Sequence, residues 1–114
     1  MCKSKKACMT EHELQQEIRL ALGRRGIVLR LNVGKLRTED GRYLTTGLPP
    51  GTCDLLFIGG GHAVFIEVKT PAGRVSDAQR RFITAVERHG APHVRAGVAR
   101  SVEDAIQLTQ FQEV

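Results

Sequence analysis

Three charged residues interrupt two apolar stretches that a triple glycine separates. Asp54 precedes the first stretch, and Glu67 and Lys69 lie at the end of the second. Two apolar runs of strand length around Gly59–Gly61 predict a β-hairpin. If the turn is centred on the second and third of these glycines, Asp54 falls directly opposite Glu67 on the neighbouring strand.

This opposition predicts a metal site. Directly opposed residues of an antiparallel pair have Cβ atoms about 5 Å apart. Two carboxylates at that distance repel each other unless a proton or a cation lies between them. Lys69 lies on the same face, two residues beyond Glu67. We therefore interpret the set as a divalent metal held by Asp54 and Glu67, with Lys69 beside it.

The alternative is that these charges lie at strand ends and face water. The other face of the same hairpin is also apolar, which indicates a hairpin covered on both sides. Charges inside such a strand need partners, and this favours the functional interpretation. The apolar residues of that second face are Leu55, Phe57, Val64, Ile66 and Val68.

The first helix can add a carboxylate to this site. A capping-box pattern at Thr10 predicts a helix from residue 11 onwards. Apolar residues recur at helical spacing until the helix ends near Gly23 or Gly26. Glu11 lies at the head of the buried stripe, from which it can reach a site on the sheet. Glu17, on a neighbouring stripe, is a second candidate.

The C-terminal half predicts a β-α-β unit and a last helix. Ser76 and Gln79 have capping-box spacing at the start of a helix that ends at Gly90. A strand over residues 92–98 follows, so it should run parallel to the second hairpin strand with a right-handed crossover. Gln79 either points at the active face or serves only as the capping partner of Ser76. A final helix over residues 101–110 completes the order.

The stretch between the first strand and the hairpin is predicted to be a loop. Residues 27–33 alternate as a strand, and residues 34–50 are rich in Gly, Pro, Thr and charge. Loops this long in small domains are usually functional or mobile. Lys35, Arg37 and Arg42 are the best candidates for contact with a phosphate backbone, and a merely solvated loop is the alternative.

Composition predicts one α/β domain. A chain of 114 residues has the length of a single domain, and its 41% hydrophobic content is enough to form a hydrophobic core. Residues 1–9 are predicted to form a basic N-terminal arm, and residues 10–114 a single domain with a mixed sheet and helices on its faces. The net charge of +5 and pI near 9.6 are compatible with a polyanion partner but do not by themselves identify one.

Other compositional features restrict the function. The absence of Trp and the single Tyr make recognition by aromatic base stacking improbable. Three cysteines without Cys-x-x-Cys spacing indicate a reducing compartment and no zinc site. There is no long apolar run and no signal peptide, so we expect a soluble cytoplasmic protein without a membrane partner.

These residues resemble those of a known nuclease family. Asp54 followed by Glu67-Val68-Lys69 resembles the D…E-x-K motif of the PD-(D/E)xK superfamily, whose restriction-endonuclease-like core has the same α-β-β-β-α-β order. Within it, residues 11–105 resemble the VRR-NUC family (virus-type replication-repair nucleases), specifically its short stand-alone members from phages and bacteria. Gly51 before the Asp and the Ser-x-x-Gln that opens the second helix belong to the likeness. Cys53 departs from it, because a Pro often precedes the Asp.

The resemblance implies an Mg²⁺- or Mn²⁺-dependent DNA endonuclease. By analogy, Asp54 and Glu67 ligate the metal together with the Val68 carbonyl, and such oxygen donors suit hard divalent cations. Glu11 would act through a second metal or a bound water. Lys69 would orient or deprotonate the attacking water and offset charge in the transition state.

The resemblance also implies a substrate and an assembly. Gln79 would join the catalytic set. Stand-alone members are similar in fold to archaeal Holliday-junction resolvases, so we expect a homodimer that cuts branched DNA during DNA repair in a bacterial cell or a phage-infected host. The alternatives are a non-catalytic DNA-binding module with a vestigial site and a sequence-specific restriction-type nuclease. The short chain argues against the latter.

Overall fold

The computed structural model describes residues 9–31, 35–45 and 47–111, with only the backbone of Lys35, Leu36 and Thr45. The predicted basic arm, apart from Met9, therefore lies outside the described residues. Nine helices and strands occur in the described ranges. In chain order they are α1 (Glu11–Leu22), β1 (Ile27–Arg30), β2 (Lys35–Arg37), β3 (Tyr43–Thr45), β4 (Leu55–Gly59), β5 (His62–Val68), α2 (Asp77–Gly90), β6 (Val94–Ala99) and α3 (Val102–Leu108).

The main sheet is mixed and has the order β1-β4-β5-β6. β1 and β4 are antiparallel, as are β4 and β5, whereas β5 and β6 are parallel. The parallel pair is joined through α2, as the β-α-β prediction required. The α/β fold class with an α-β-β-β-α-β core is thus confirmed, and β2 and β3 are additions to it.

The central hairpin has the predicted register. Leu55 pairs with Ile66 and Gly59 with His62, and continuing that register by one residue brings Asp54 opposite Glu67. The turn consists of Gly60 and Gly61, with φ of 60° and 79°. A two-residue turn with positive φ at both positions suits the twist of an antiparallel pair and favours glycine.

Helices cover the two faces of the sheet unequally. α1 and α3 pack on one face, where the buried core includes Leu14, Ile18, Leu22, Leu55, Phe57, Val64, Ile66, Val68, Ala99 and Ala105. α2 packs on the other face, with the Phe82 ring edge-on to Phe65 at 5.3 Å. The part of that face formed by β1 and β4 keeps exposed apolar side chains, at Ile27, Leu29 and Ile58. The expectation that the hairpin is covered on both sides therefore holds for β5 more fully than for β4.

Local signals predicted the helix starts well. The Ser76 hydroxyl accepts from the Gln79 N–H, and the Ser76 N–H donates to the Gln79 side chain, which completes a capping box. At α1, Thr10 accepts from the Glu13 N–H at 3.1 Å. α1 ends at Leu22 with Gly23 as its C-cap, as predicted.

The prediction of a loop over residues 34–50 was wrong. β2 and β3 form a separate two-stranded hairpin, with Arg37 paired to Tyr43. Its turn is closed by hydrogen bonds from Thr38 N–H to the Arg42 carbonyl and from Gly41 N–H to the Thr38 carbonyl. Asp-Gly is a strong hairpin signal, and Gly41 has a φ of 85°. The polar composition of the segment concealed this signal. β1 is also shorter than predicted and ends at Arg30, and residues 32–34 lie outside the described part.

Candidate active site

Asp54, Glu67 and Lys69 meet at one end of the sheet, the end opposite the Gly60–Gly61 turn. Asp54 directly precedes β4, Glu67 is the penultimate residue of β5, and Lys69 directly follows β5. Because β4 and β5 are antiparallel neighbours, residues before β4 and at the end of β5 lie side by side.

Backbone bonds from both neighbouring strands hold Asp54. Its Oδ2 accepts from the Val68 N–H at 2.9 Å, and its carbonyl accepts from the Leu31 N–H at 2.8 Å. Asp54 therefore continues the ladders of β1 and β5, although it is not itself part of a strand. The hydrogen bond from Val68 occupies one of the two Asp54 carboxylate oxygens.

Gly51 positions this segment against α2. Its φ is 92°, and a Cβ added there would lie 2.4 Å from the Ala78 carbonyl oxygen. Any side chain would thus push α2 away from the segment that leads to Asp54, and a positive φ disfavours other residues as well. The close approach explains why a glycine stands three residues before Asp54.

Glu67 is a buried carboxyl group with an unused oxygen. Only 2% of the residue is exposed, and its Oε1 has no hydrogen-bond partner among the described residues. Burial, followed by the hydrogen bond and charge of Asp54, raises the pKa of Glu67 to about 9, while Lys69 acts in the opposite direction. Without a cation, the pair therefore favours a proton where two negative charges would otherwise repel.

Lys69 bridges the pair and the first helix. Its Nζ lies 3.9 Å from Glu11 Oε1 and 4.0 Å from Glu67 Oε2, and only 16% of its side chain is exposed. Glu11, at the start of α1, is therefore the helix carboxylate beside Lys69. Glu17 instead lines a cavity of about 30 Å³ together with Pro71.

The two carboxylates fit a hard divalent cation. The described residues contain no group of three or more His, Cys, Asp or Glu side chains that could hold a metal, so Asp54 and Glu67 would act as a pair. The unpartnered Glu67 Oε1 needs a cation or a proton. Carboxylate oxygens are the donors that Mg²⁺ and Mn²⁺ prefer, and Mg²⁺ usually keeps several waters beside one or two carboxylates. The donor set thus fits the predicted metal.

Cys53 does not add a thiolate to this set. The residue is fully buried, and burial raises the pKa of its thiol to about 12, with a further contribution from the charges of Glu67 and Asp54. A protonated thiol is a poor metal ligand. Cys2 and Cys8 lie outside the described residues.

Gln79 makes the capping contact that was one of its two predicted roles. Its Oε1 accepts from the Ser76 N–H at 2.8 Å. The first turn of α2 lies close to Gly51, so Gln79 is near the segment before Asp54. Its catalytic role stays a prediction.

The predicted phosphate-binding residues lie on the β2–β3 hairpin. Arg37 and Arg42 are exposed, and Arg42 Nε lies 3.4 Å from Asp40 Oδ2. The side chain of Lys35 lies outside the described part. DNA contact by these three residues stays a prediction.

Arg100 was missed by the sequence reasoning. Its Nη1 donates to the carbonyls of Thr70 and Gly73 at 2.7 Å each, and thereby holds the loop that leaves Lys69. A single Arg after a strand carries no signal of this role. The contact arises because β6 pairs in parallel with β5, which brings residue 100 beside the exit of β5.

Within the described ranges, no helix combines the length and apolar character that crossing a bilayer requires.

Comparison with known proteins gives a family. The model of the VRR-NUC domain matches residues 9–103. A solved structure described as a VRR_NUC domain shares the fold, with a TM-score of 0.60, 23% sequence identity and coverage of 86% of this chain and 91% of that chain. No curated protein matches the chain. Since the matched stretch covers most of the chain and contains the whole candidate site, the chain belongs to the VRR-NUC family, a family of nuclease-type domains that act on DNA and generally use divalent metals.

Proposed function

We propose that the protein is an Mg²⁺- or Mn²⁺-dependent endonuclease that hydrolyses phosphodiester bonds in branched DNA, such as Holliday junctions. The observation that carries the catalytic part is the Asp54–Glu67 pair, in which Glu67 is buried with one carboxylate oxygen unpartnered among the described residues and the Lys69 ammonium within 4.0 Å. Placing two carboxylates beside apolar strands costs free energy unless a cation binds to them.

The roles of the residues follow from their positions. Asp54 and Glu67 would hold the metal, with the Val68 carbonyl as a further oxygen donor. The bound ion would supply Lewis-acid stabilisation of the negative charge that develops on the scissile phosphate. The hydrogen bond from the Val68 N–H to Oδ2 fixes the orientation of the Asp54 carboxylate.

Lys69 and Glu11 would act beside the metal pair. The Lys69 ammonium donates hydrogen bonds to the attacking water or to a phosphate oxygen and offsets negative charge in the transition state. Glu11 forms an ion pair with the same ammonium at 3.9 Å and so limits where it can point. A carboxylate at this position can also bind a second metal or hold a water.

The branched substrate and the dimer rest on the family resemblance. A junction with two-fold symmetry is cut symmetrically by two active sites related by the same symmetry. One domain of this size provides one such site, so a homodimer matches the substrate.

Cleavage of defined DNA structures tests this function. Purified protein is incubated with four-way junction, flap and linear duplex DNA, each with Mg²⁺, with Mn²⁺ and with excess EDTA, and Asp54→Asn serves as the matched control. We expect metal-dependent cutting, fastest on the junction, and none by the variant.

The outcomes separate the alternatives. Activity undiminished in EDTA would contradict the metal dependence. Equal rates on linear and branched DNA would keep the nuclease and reject the preference for branched DNA. Binding of DNA without any cutting would favour a non-catalytic DNA-binding module, and cutting confined to one duplex sequence would favour a restriction-type enzyme.

A further inference from the structure

A row of exposed arginines lies along α2 and the loop that precedes it. These residues, which we call the α2 arginine face, are Arg74, Arg80, Arg81 and Arg88. None of them forms an ion pair within the described part of the chain, in contrast to Arg95, whose Nε lies 3.6 Å from Glu87. Four unpaired guanidinium groups on one exposed surface repel one another and attract an anion.

Two neighbouring depressions run beneath this face. The first, of about 540 Å³, is lined by Arg74, Ser76, Asp77, Arg80 and Arg100 among others. The second, of about 290 Å³, is lined by Arg80, Arg81, Thr84 and Arg88 among others. Arg80 borders both, so the surface is continuous along α2, and Asp77 is the single acidic residue that lines it among the described residues.

The first depression borders the loop that directly follows Lys69. Arg100 lines it, and the same guanidinium group binds the carbonyls of Thr70 and Gly73, in the loop that directly follows Lys69. α2 itself touches Gly51, three residues before Asp54. A chain of phosphates lying in this depression would therefore lead to the Asp54–Glu67 pair.

The spacing along α2 suits a nucleic-acid strand. Arg81 and Arg88 are seven residues apart, which places them on the same helix face about 10.5 Å apart along the axis. Phosphates recur along a duplex at much shorter intervals than this, so two arginines at this spacing can each neutralise a different phosphate. Guanidinium groups bind phosphate oxygens bidentately and are well suited to this contact.

We infer that the α2 arginine face binds the phosphate backbone of a duplex DNA arm and leads it to the active site. This inference rests on the proposed function and adds a surface distinct from the β2–β3 hairpin. Base identity plays no part, because phosphate contacts position a duplex without reading its sequence.

The salt dependence of DNA binding tests this inference. Binding of a short linear duplex is measured in EDTA over a range of salt concentrations, for the unaltered protein and for Arg80→Gln/Arg88→Gln. We expect the slope of log K against log salt to fall by about 0.9 for each phosphate that the variant no longer neutralises, so by roughly 1.8 in all. Arg80→Lys/Arg88→Lys should retain most of the slope, since the charges remain.

Arg24→Gln/Arg25→Gln is the matched control. These two residues are also exposed but lie near the turn of the central hairpin, where the Arg25 carbonyl is 3.1 Å from a Cβ built on Gly59. The control removes the same charge at the end of the sheet remote from Asp54. Its slope should match that of the unaltered protein, and thermal unfolding should show that all variants fold.

The outcomes distinguish this inference from the proposed function. An unchanged slope in Arg80→Gln/Arg88→Gln, or an equal fall in the control pair, overturns the inference, even if the unaltered protein cuts DNA with Mg²⁺. A failure of the unaltered protein to bind DNA in EDTA overturns the inference, whereas the cleavage assay with Mg²⁺ decides the proposed function separately. A smaller slope confined to the α2 pair, in a protein that does not cut, supports the inference and counts against the nuclease activity alone.

Discussion

At the scale of single residues, the decisive feature is that the neighbouring Asp54 and Glu67 carboxylates repel each other unless a proton or a cation lies between them. Burial of Glu67, more than any ion pair, sets its protonation state, because a charge loses hydration on entering the protein. Lys69 reduces this effect without cancelling it. A divalent cation can take the place of the proton, and metal affinity should therefore rise with pH.

Glu67 should make the metal-free protein less stable as pH rises. Its pKa is about 9 in the folded state against 4.5 for an unperturbed glutamate. The folded state thus binds more protons than the unfolded state between these values. The free energy of unfolding should fall across that window, by up to about 1.4 kcal/mol per pH unit, and change little from this group below it. Denaturant unfolding in EDTA at several pH values measures this.

Glu67→Gln is the control for that slope, since an amide does not titrate. The variant should show a flatter dependence of unfolding free energy on pH over the same range. An identical dependence in both proteins would mean that another group causes it.

Asp54 and Lys69 should separate metal binding from chemistry. Asp54→Asn removes a ligand charge and should abolish metal binding and cleavage. The metal-free protein should be no less stable, because Asn Oδ1 can still accept from the Val68 N–H. Lys69→Met keeps the stem, so Mg²⁺ should still bind, while cleavage falls by about 10² or more. Calorimetric metal titration and single-turnover cleavage on each variant measure the two effects.

Two results would contradict these roles. Near-normal cleavage by Lys69→Met would make Lys69 a structural residue at a strand end. Normal Mg²⁺ binding by Asp54→Asn would mean that the metal is held elsewhere.

At the scale of elements, the site depends on how the segments after β5 and before β4 are held. Gly51 lets α2 approach one of them, and Arg100 binds the other through three carbonyls, the third being that of Pro71 at 3.3 Å. Both residues therefore act on the site indirectly, because they fix the position of the backbone segments next to Asp54 and Lys69.

Arg100 should be a positioning residue for Lys69. Arg100→Met removes its bonds to the loop and should destabilise the fold by about 2 kcal/mol. The turnover rate should fall more than substrate affinity, because Lys69 loses its fixed position while metal ligands remain. Arg100→Lys should restore part of the rate. Single-turnover kinetics at saturating DNA, with Mg²⁺ titration, measure this.

Arg95→Met is the matched control for Arg100. Arg95 lies on β6 and pairs with Glu87, away from the loop after Lys69. If both variants lost rate equally, the effect of Arg100 would be one of general stability.

At the scale of the whole molecule, two further surfaces are open to partners. One is the β2–β3 hairpin, with exposed Arg37 and Arg42. The other is the open part of the sheet at the edge strand β1, where Ile27, Leu29 and Ile58 are 59%, 45% and 41% exposed. Ile27 pairs with Ile58 across β1 and β4, so these side chains form one apolar patch.

The hairpin should contribute phosphate contacts to duplex DNA. A Lys35→Ala/Arg37→Ala/Arg42→Ala variant should reduce the salt slope of log K by about 0.9 for each phosphate that these side chains neutralise. The neutral change Leu44→Ala on the same hairpin is the control and should leave the slope intact. A triple variant with the slope of the unaltered protein would remove the hairpin from the DNA surface.

The protein should form a homodimer, and the patch on β1 and β4 is a suitable interface. Exposed edge strands with apolar side chains readily pair with a second copy. Leu29→Lys should shift the equilibrium towards monomer, whereas Leu20→Lys, at an exposed apolar position of α1, should not. Sedimentation equilibrium at micromolar protein measures this, and a monomer mass with and without junction DNA would refute the dimer.

Local patterns in the sequence determined much of the site. The glycines of the turn and the alternation of apolar residues set the register that brings Asp54 opposite Glu67, because both act over a few neighbouring residues. The capping residues likewise determined where α1 and α2 begin. The β2–β3 hairpin is equally local, and its Asp-Gly turn lies in a polar segment whose composition is otherwise typical of a loop.

Only the tertiary structure decided the remaining features, because they depend on residues far apart in the chain. The contact of Gly51 with Ala78 requires α2 to be docked, and the bonds of Arg100 require β6 to lie beside β5. Glu11 rather than Glu17 lies next to Lys69 because α1 is docked with its first turn beside the end of β5. The raised pKa of Glu67 follows from its burial in the folded protein, which no local pattern specifies.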